Sequence, residues 1–92
     1  MSYVLVFSKT AQNDLKKHKR SGDKSILKKI EKLLLELLEH PHEGTGQPER
    51  LKHEFSGLFS RRITRKHRLI YAVYDETATV HVLSLASHYE YK

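Results

Sequence analysis

The sequence predicts an α+β protein in which an αα-hairpin packs on a mostly antiparallel sheet of four to five strands. Three observations lead to this class. An apolar run rich in β-branched and aromatic residues opens the chain, two amphipathic segments follow it, and beyond Pro41 the pattern changes to short extended runs. Because 92 residues suffice for one domain, we assign residues 1–92 to a single domain.

The first strand and the first helix are predicted in the N-terminal part of the chain. Residues 3–7 read Tyr-Val-Leu-Val-Phe, which indicates a buried strand. Either Ser8 or Thr10 can then cap a helix that runs to about Arg20.

A second helix is predicted after the break at Ser21 and Gly22. Asp23 is its expected N-cap, and the helix should end near His40, before Pro41. Its broad apolar stripe suits packing against a sheet and comprises Ile26, Leu27, Ile30, Leu33, Leu34, Leu35, Leu37 and Leu38.

The C-terminal half is predicted to supply the remaining strands. A loop over residues 44–48 precedes extended runs at residues 50–54, 59–64, 67–74 and 79–87. Residues 75–78 form the expected hairpin turn between the last two runs. One face of the sheet should carry the helices, and the other should stay open.

Composition narrows the possible functions. Lys and Arg number 17 against 11 Asp and Glu, a net charge of +6 that favours polyanionic partners over a merely solvated surface. The absence of cysteine excludes disulfides, thiolate catalysis and cysteine-based zinc sites. With no long apolar run and no visible signal peptide, we expect a cytoplasmic protein that does not bind membranes.

Charged side chains and histidines are concentrated on or beside the predicted strands of the C-terminal half. Like charges on neighbouring strands repel each other, so an anionic ligand would stabilise such a face. The alternative is an ordinary solvated face. The residues concerned are Glu49, Arg50, Lys52, His53, Arg61, Arg62, Arg65, Lys66, His67, Arg68 and His88.

Cleavage of RNA without a metal needs a base for the ribose 2′-hydroxyl, an acid for the departing 5′-oxygen and a cation beside the phosphorus. Glutamate, histidine and arginine suit these tasks, since their ordinary pKa values are about 4.3, about 6.5 and above about 12. The chain offers Glu49, His88 and Arg68, which adjacent strands can bring together. On its own the trio is a weak signal, because most basic proteins contain one.

Structural roles are the alternatives for these three residues. Glu49 can be a surface carboxylate or a partner of Arg50, and Arg68 can form a structural ion pair with Glu49. His88 lies near the C-terminus, where residues are often frayed. The pair His40 and His42 lacks further ligands, so we predict no metal site and no cofactor.

Residues 43–74 carry a specific resemblance. They read EGTGQPERLKHEFSGLFSRRITRKHRLIYAVY, and the chain ends close to a His-Tyr pair at His88 and Tyr89. This closely resembles the YoeB/Txe family of the RelE/ParE toxin superfamily, whose pattern has the form EGxGxPExLKxxxxGxxSRRIxxxHRLVY and which ends in His-Tyr. So many fixed positions make this match far more specific than a short motif.

The resemblance implies a RelE-like, microbial ribonuclease-like fold and a type II toxin that cleaves mRNA on the ribosome. It implies 2′,3′-cyclic phosphate and 5′-hydroxyl products, inhibition of translation and control by an acidic, YefM-like antitoxin. A homodimer is compatible with the family. By position, Glu49 matches the general base, Arg68 the phosphate-stabilising arginine, His88 the general acid and Tyr89 the tyrosine beside it.

The resemblance also implies RNA contacts and shows one departure. The positions expected to hold RNA are Lys52, His53, Arg61, Arg62, Arg65 and His67. Three residues, Glu90-Tyr91-Lys92, follow the His-Tyr pair, where family members tend to stop. The role of Tyr89 is therefore open, since Tyr91 can substitute for it.

Two other functions remain as alternatives. ParE-like toxins poison gyrase and share the size, basicity and plan, but they should lack the Glu, Arg and His trio. A binding module without chemistry would show salt-dependent RNA affinity and no turnover.

Overall fold

The computed structural model describes residues 2–46, 48–51 and 57–86. Its helices are α1 (Lys9–Ser21) and α2 (Lys24–Glu39). Its strands are β1 (Val4–Phe7), β2 (Glu49–Arg50), β3 (Phe59–Arg62), β4 (Arg68–Tyr74) and β5 (Thr79–Ser84). The strands form one five-stranded sheet, so the predicted α+β class is confirmed.

Both helices begin where their capping residues predict. The Ser8 hydroxyl oxygen accepts a hydrogen bond from the Ala11 N–H at 3.0 Å, and the Asp23 carboxylate accepts from two N–H groups of the following turn. Gly22 ends α1 with a φ of 75°, a left-handed conformation that glycine adopts without a steric penalty. The short connection makes the two helices a hairpin.

The sheet has the strand order β1-β5-β4-β3-β2, and only the β1–β5 pair is parallel. The first strand therefore lies at an edge, beside the last strand. Val4 and Val6 point away from the helices and are 62% and 42% exposed. The prediction of a buried first strand is wrong for this face, because only Leu5 and Phe7 pack towards the core.

The hydrophobic core lies between the helical hairpin and one face of the sheet. Removal of apolar surface from water, about 25 cal/mol per Å², holds the two layers together. In the described part of the chain, neither helix is both long enough and apolar enough to cross a bilayer. The buried side chains include Ala11, Ile30, Leu33, Leu37, Leu69, Tyr71, Val80, Val82 and Leu85.

The predicted turn between the last two strands is confirmed. A 3-10 helical turn spans Asp75–Thr77, and Ala78 follows it with a φ of 49°. The Asp75 carboxylate accepts a hydrogen bond from the Tyr3 hydroxyl at 2.7 Å and lies 3.1 Å from His42 Nε2. These contacts attach the turn to the N-terminus and to the loop that follows α2.

Candidate active site

The register of the strands decides which side chains share the face away from the helices. Residues directly opposite each other in a sheet lie on the same face. Glu49 is opposite Ser60, Ser60 is opposite Ile70, and Ile70 is opposite Ser84. These four residues form a row across β2, β3, β4 and β5 on the face that the helices do not cover.

A second row on the same face contains two arginines. Arg62 is opposite Arg68, each two residues along its strand from the first row. With strands about 4.8 Å apart and a rise of about 3.4 Å per residue, the Cα atoms of Glu49 and Arg68 are roughly 12 Å apart. Glu49 and Arg62 are exposed and Arg68 is half-buried. The register thus brings the predicted base and the predicted phosphate-binding arginine onto one face.

A tight loop joins β3 to β4 and presents two further cations. The Thr64 hydroxyl oxygen accepts hydrogen bonds from the N–H groups of Lys66 and His67 at 3.1 and 3.0 Å. The His67 carbonyl in turn accepts from the N–H groups of Ile63 and Thr64. This arrangement leaves the side chains of Arg65 and Lys66 exposed at the tip of the loop.

Among the described residues, no salt bridge joins the cations at this end of the sheet to a carboxylate. The salt bridges in the described ranges involve other residues, and no acidic residue lies between positions 61 and 68. Mutual repulsion therefore favours an anion at this place. We call the following residues the cationic rim: Arg62, Arg65, Lys66 and Arg68.

The ion pairs considered as alternatives for Glu49 do not form in the described part of the chain. No salt bridge there joins Glu49 to Arg50 or to Arg68. The Arg50 guanidinium instead lies over the Phe59 ring, 5.3 Å from its centroid. Glu49 is thus an exposed carboxylate with no cation partner among the described residues.

Small and apolar residues occupy the centre of the face away from the helices. Ser60, Ile70 and Ser84 have no exposed surface, and Ala72 is 5% exposed. The centre of this face is therefore buried, whereas an open face was predicted. The polar side chains that a ligand can reach lie along its margin.

The prediction that Arg61 binds RNA is wrong. Arg61 lies one position before Arg62 and so points to the opposite face, where its side chain is fully buried. One terminal nitrogen donates to Glu36 Oε1 at 3.1 Å, and the other donates to the carbonyls of His40 and Glu43. Its Nε donates to the Tyr71 hydroxyl at 3.1 Å. Since its donors are directed at protein atoms, Arg61 has a structural role.

The Arg61 contacts shape the loop that leads to Glu49. Glu36 accepts hydrogen bonds from the N–H and the hydroxyl of Thr45 at 2.7 and 2.6 Å. Burial raises the pKa of Glu36, but the Thr45 hydrogen bonds and the charge of Arg61 outweigh it, so this pKa lies below its ordinary value. Gly44 has a φ of 129°, and a Cβ there would lie 2.5 Å from Glu36 Oε1. A side chain is therefore disfavoured at this position of the loop.

Several predicted site residues lie outside the described ranges, namely Lys52, His53, His88 and Tyr89. The position of Ser84 opposite Ile70 nevertheless shows where the chain leaves β5. It does so at the end of the sheet at which β4 begins with Arg68. His67, the residue before Arg68, is half-buried, and its ring centroid lies 4.9 Å from that of His18.

Two buried polar residues of α1 were missed by sequence reasoning. Asp14 and His18 are 3% and 7% exposed and share the inward face of the helix with Ala11. The sequence does contain a signal for them, because both polar residues stand at positions of α1 where helical spacing predicts apolar side chains. In the described ranges, no three His, Asp or Glu side chains are placed to hold a metal ion.

Comparisons with known proteins agree with this architecture. Residues 7–89 match a family described as the YoeB-like toxin of bacterial type II toxin-antitoxin systems. The protein named Toxin YoeB of Escherichia coli K12 is 49% identical over 69 residues, which is 75% of this chain and 77% of that protein.

Solved structures show the same similarity. A YoeB/ParE toxin from Agrobacterium tumefaciens has a TM-score of 0.86 and 32% identity, covering 94% of this chain and 99% of that chain. Two Staphylococcus aureus structures, a YoeB dimer and a heterotetrameric YoeB-YefM complex, have TM-scores of 0.80 and 0.79. Each is 37% identical, covering 97% of this chain and 100% of that chain.

Proposed function

Because the chain belongs to the YoeB-like toxins of bacterial type II toxin-antitoxin systems, we propose that it is a ribosome-dependent mRNA endonuclease that needs no metal and inhibits translation. The observation that carries the proposal is the pair of rows on the face away from the helices. An exposed carboxylate at Glu49 shares this face with Arg62 and Arg68, and none of the three has a salt bridge within the described ranges.

Glu49 is the general base in this proposal. Its carboxylate takes the proton from the ribose 2′-hydroxyl, and the 2′-oxygen attacks the adjacent phosphorus. Charge builds up on the non-bridging oxygens of the phosphorane, and the guanidinium of Arg68 stabilises it. Arg62 lies directly across from Arg68 and holds the same or the next phosphate.

His88 is the general acid. It gives its proton to the 5′-oxygen as the phosphorus–oxygen bond breaks, which leaves a 2′,3′-cyclic phosphate and a 5′-hydroxyl. Tyr89 is assigned to the same site. Contacts to the flanking RNA come from Lys52, His53, Arg65 and His67.

The partners follow from the same surface. The cationic rim attracts RNA, and an acidic segment lying across it would be held by the same charges and would exclude RNA. We therefore assign an acidic, YefM-like antitoxin that orders on binding as the inhibitor. The active setting is a ribosome carrying mRNA in the cytoplasm, and two copies of the toxin can pair in the free state.

Induced expression of the wild type, His88→Gln and Arg68→Ala, followed by primer extension on cellular mRNA, tests the proposal. We expect the wild type to halt growth and to produce discrete cuts within translated codons. Both variants should lose these cuts, since removal of one group that stabilises the transition state lowers a rate about 10²–10³-fold.

Arg20→Ala is the matched control. It removes one positive charge, as Arg68→Ala does, but Arg20 is exposed on α1, on the opposite side of the sheet from Glu49. This variant should still cut mRNA. Growth arrest without new mRNA ends would overturn the nuclease assignment and would favour gyrase poisoning or RNA binding without turnover.

Purified components test the finer claims. Toxin mixed with mRNA should cut it only when ribosomes are present. EDTA at a concentration that leaves the ribosomes assembled should not prevent cutting, and the 5′ products should be open to phosphorylation by a kinase. Cutting of free RNA at an equal rate would contradict ribosome dependence.

A further inference from the structure

The buried polar pair of α1, Asp14 and His18, is not used by the proposed mechanism. The two residues lie one helical turn apart and face the core. A buried polar side chain is costly unless it has a specific partner. Both side chains find their partner in the same residue, Leu85, which directly follows β5.

The contacts take up both backbone groups of Leu85. Its N–H donates to Asp14 Oδ2 at 3.0 Å. His18 Nε2 lies 2.7 Å from the Leu85 carbonyl oxygen. Because a carbonyl only accepts, His18 Nε2 carries a hydrogen and donates it. One helix thus binds the donor and the acceptor of a single residue at the end of a strand.

The end of β5 needs such contacts because its parallel neighbour is shorter. β1 ends at Phe7, opposite Val82, so within the described ranges no strand pairs with β5 beyond Val82 on that side. The Ser8 N–H donates to the Val82 carbonyl at 2.9 Å, and the Ser8 hydroxyl donates to the Leu83 carbonyl at 2.8 Å. From Val82 to Leu85, therefore, α1 and its cap replace the missing strand.

This attachment lies close to the proposed catalytic groups along the chain. His88 is three residues beyond Leu85, a distance that an extended chain spans in roughly 11 Å at most. His18 also contacts His67, the residue before Arg68, with the two rings edge to face at 84°. A single side chain of α1 thus touches the segments that lead to His88 and to Arg68.

We propose that Asp14 and His18 are positioning residues that hold the end of β5, from which the chain continues to the proposed general acid His88. The inference rests on the proposed nuclease function and extends it to residues that do not touch RNA. Their effect is transmitted through the Leu85 backbone. Loss of the attachment should therefore slow the chemical step and leave RNA binding intact.

Two pairs of variants test the inference in cleavage assays on ribosomes carrying mRNA. Asp14→Ala removes the acceptor, whereas Asp14→Asn removes the same charge and keeps an oxygen for the Leu85 N–H. His18→Leu removes the donor, whereas His18→Gln keeps an N–H for the Leu85 carbonyl. We expect Asp14→Ala and His18→Leu to lower kcat about 10- to 100-fold with little change in KM, since small misplacements have effects of this size. The two conservative variants should keep most of the activity.

Rates are divided by the fraction of folded toxin, taken from thermal unfolding of the same samples. If Asp14 and His18 only stabilise the fold, the corrected kcat of each variant will equal that of the wild type. That result would overturn the inference. If either Asp14→Ala or His18→Leu fails to fold, the other variant still tests the inference. Equal activity of Asp14→Ala and Asp14→Asn would also overturn it.

A double-variant comparison locates the effect. In a His88→Gln background, measured in single turnover with excess toxin, His18→Leu should cause little further loss. In a Glu49→Gln background, His18→Leu should lower the cleavage rate by the same factor as in the wild type, because the two changes then act on separate catalytic groups. Absence of cutting by the wild type would reject the proposed function itself. Cutting by the wild type with equal losses in both backgrounds would reject only the positioning role.

Discussion

Arg61 and Arg62 are neighbours in the chain, yet they lie on opposite faces of β3 and have opposite surroundings. On the covered face, Arg61 is fully buried, and its guanidinium binds Glu36, two backbone carbonyls and the Tyr71 hydroxyl. On the other face, Arg62 is exposed, lies opposite Arg68 and has no salt bridge within the described ranges.

The two arginines therefore have different roles. The covered face uses a charge to organise the loop after α2, which leads to Glu49. The other face leaves its charges available to a ligand, at a cost in mutual repulsion. Stability and activity should therefore respond independently to changes at these two adjacent positions.

The largest effect is expected for Arg61→Met. It removes the cation from the Glu36 carboxylate and the donor from the carbonyls of His40 and Glu43, so the free energy of unfolding should fall by about 3 kcal/mol. This is the lower end of the range for a broken buried pair, because the Glu36 side chain is 24% exposed and can regain water. Urea unfolding of the purified toxin measures the change.

Arg62→Met is the matched control for stability, since it makes the same substitution one residue away. Its free energy of unfolding should change by less than about 0.5 kcal/mol, as is usual for exposed positions. Equal losses in the two variants would contradict the comparison between the faces.

An intermediate effect is expected for Arg62→Met on RNA binding. Loss of one charged hydrogen bond to phosphate should weaken binding by about 1.5 kcal/mol, or roughly tenfold. The slope of log affinity against log salt should fall by about one. The measurement uses His88→Gln toxin so that the RNA stays intact. Arg20→Met in the same background should give a smaller loss, and an equal loss would mean that net charge alone controls binding.

The smallest effect concerns pH and Glu36. Its pKa lies below the ordinary value of 4.5 in the folded state, so its contribution to stability is complete above that pH and is lost as the pH falls through the folded pKa. Acidification below about pH 4.5 should therefore destabilise the wild type more steeply than Glu36→Gln. Urea midpoints measured from pH 3 to pH 7 give the two curves. Parallel curves would show that Glu36 is not stabilised as a carboxylate.

The helices were predictable from local chemistry. Ser8 and Asp23 provide caps, and Gly22 provides the left-handed end. The apolar stripe of α2 indicates the buried side only in part, since Ile30, Leu33 and Leu37 are buried but Leu35 is 59% exposed. These features act over one or two turns and therefore appear directly in the sequence.

The sheet and the site were predictable only in part. The sequence contains both Arg61 and Arg62, but only the register of β3 tells which of them faces the core. The run that forms β1 is apolar throughout, so it did not reveal that Val4 and Val6 are exposed at an edge. Asp14 and His18 bind a residue about seventy positions away, and no local pattern reports such a contact. The catalytic assignment of His88 and Tyr89 stays a prediction.

The parallel pairing of β1 with β5 has a consequence for synthesis of the chain. Val4 pairs with Thr79, so the first strand acquires its only strand neighbour among the described elements after the helices and strands between them have been made. Contacts so distant in sequence carry a high entropic cost of loop closure and slow the folding reaction. While β5 is still inside the ribosomal exit tunnel, the sheet that carries Glu49 and Arg68 lacks the strand that joins its halves. A nascent copy of the toxin therefore cannot reach its native state before β5 has left the tunnel, which separates making the toxin from its action.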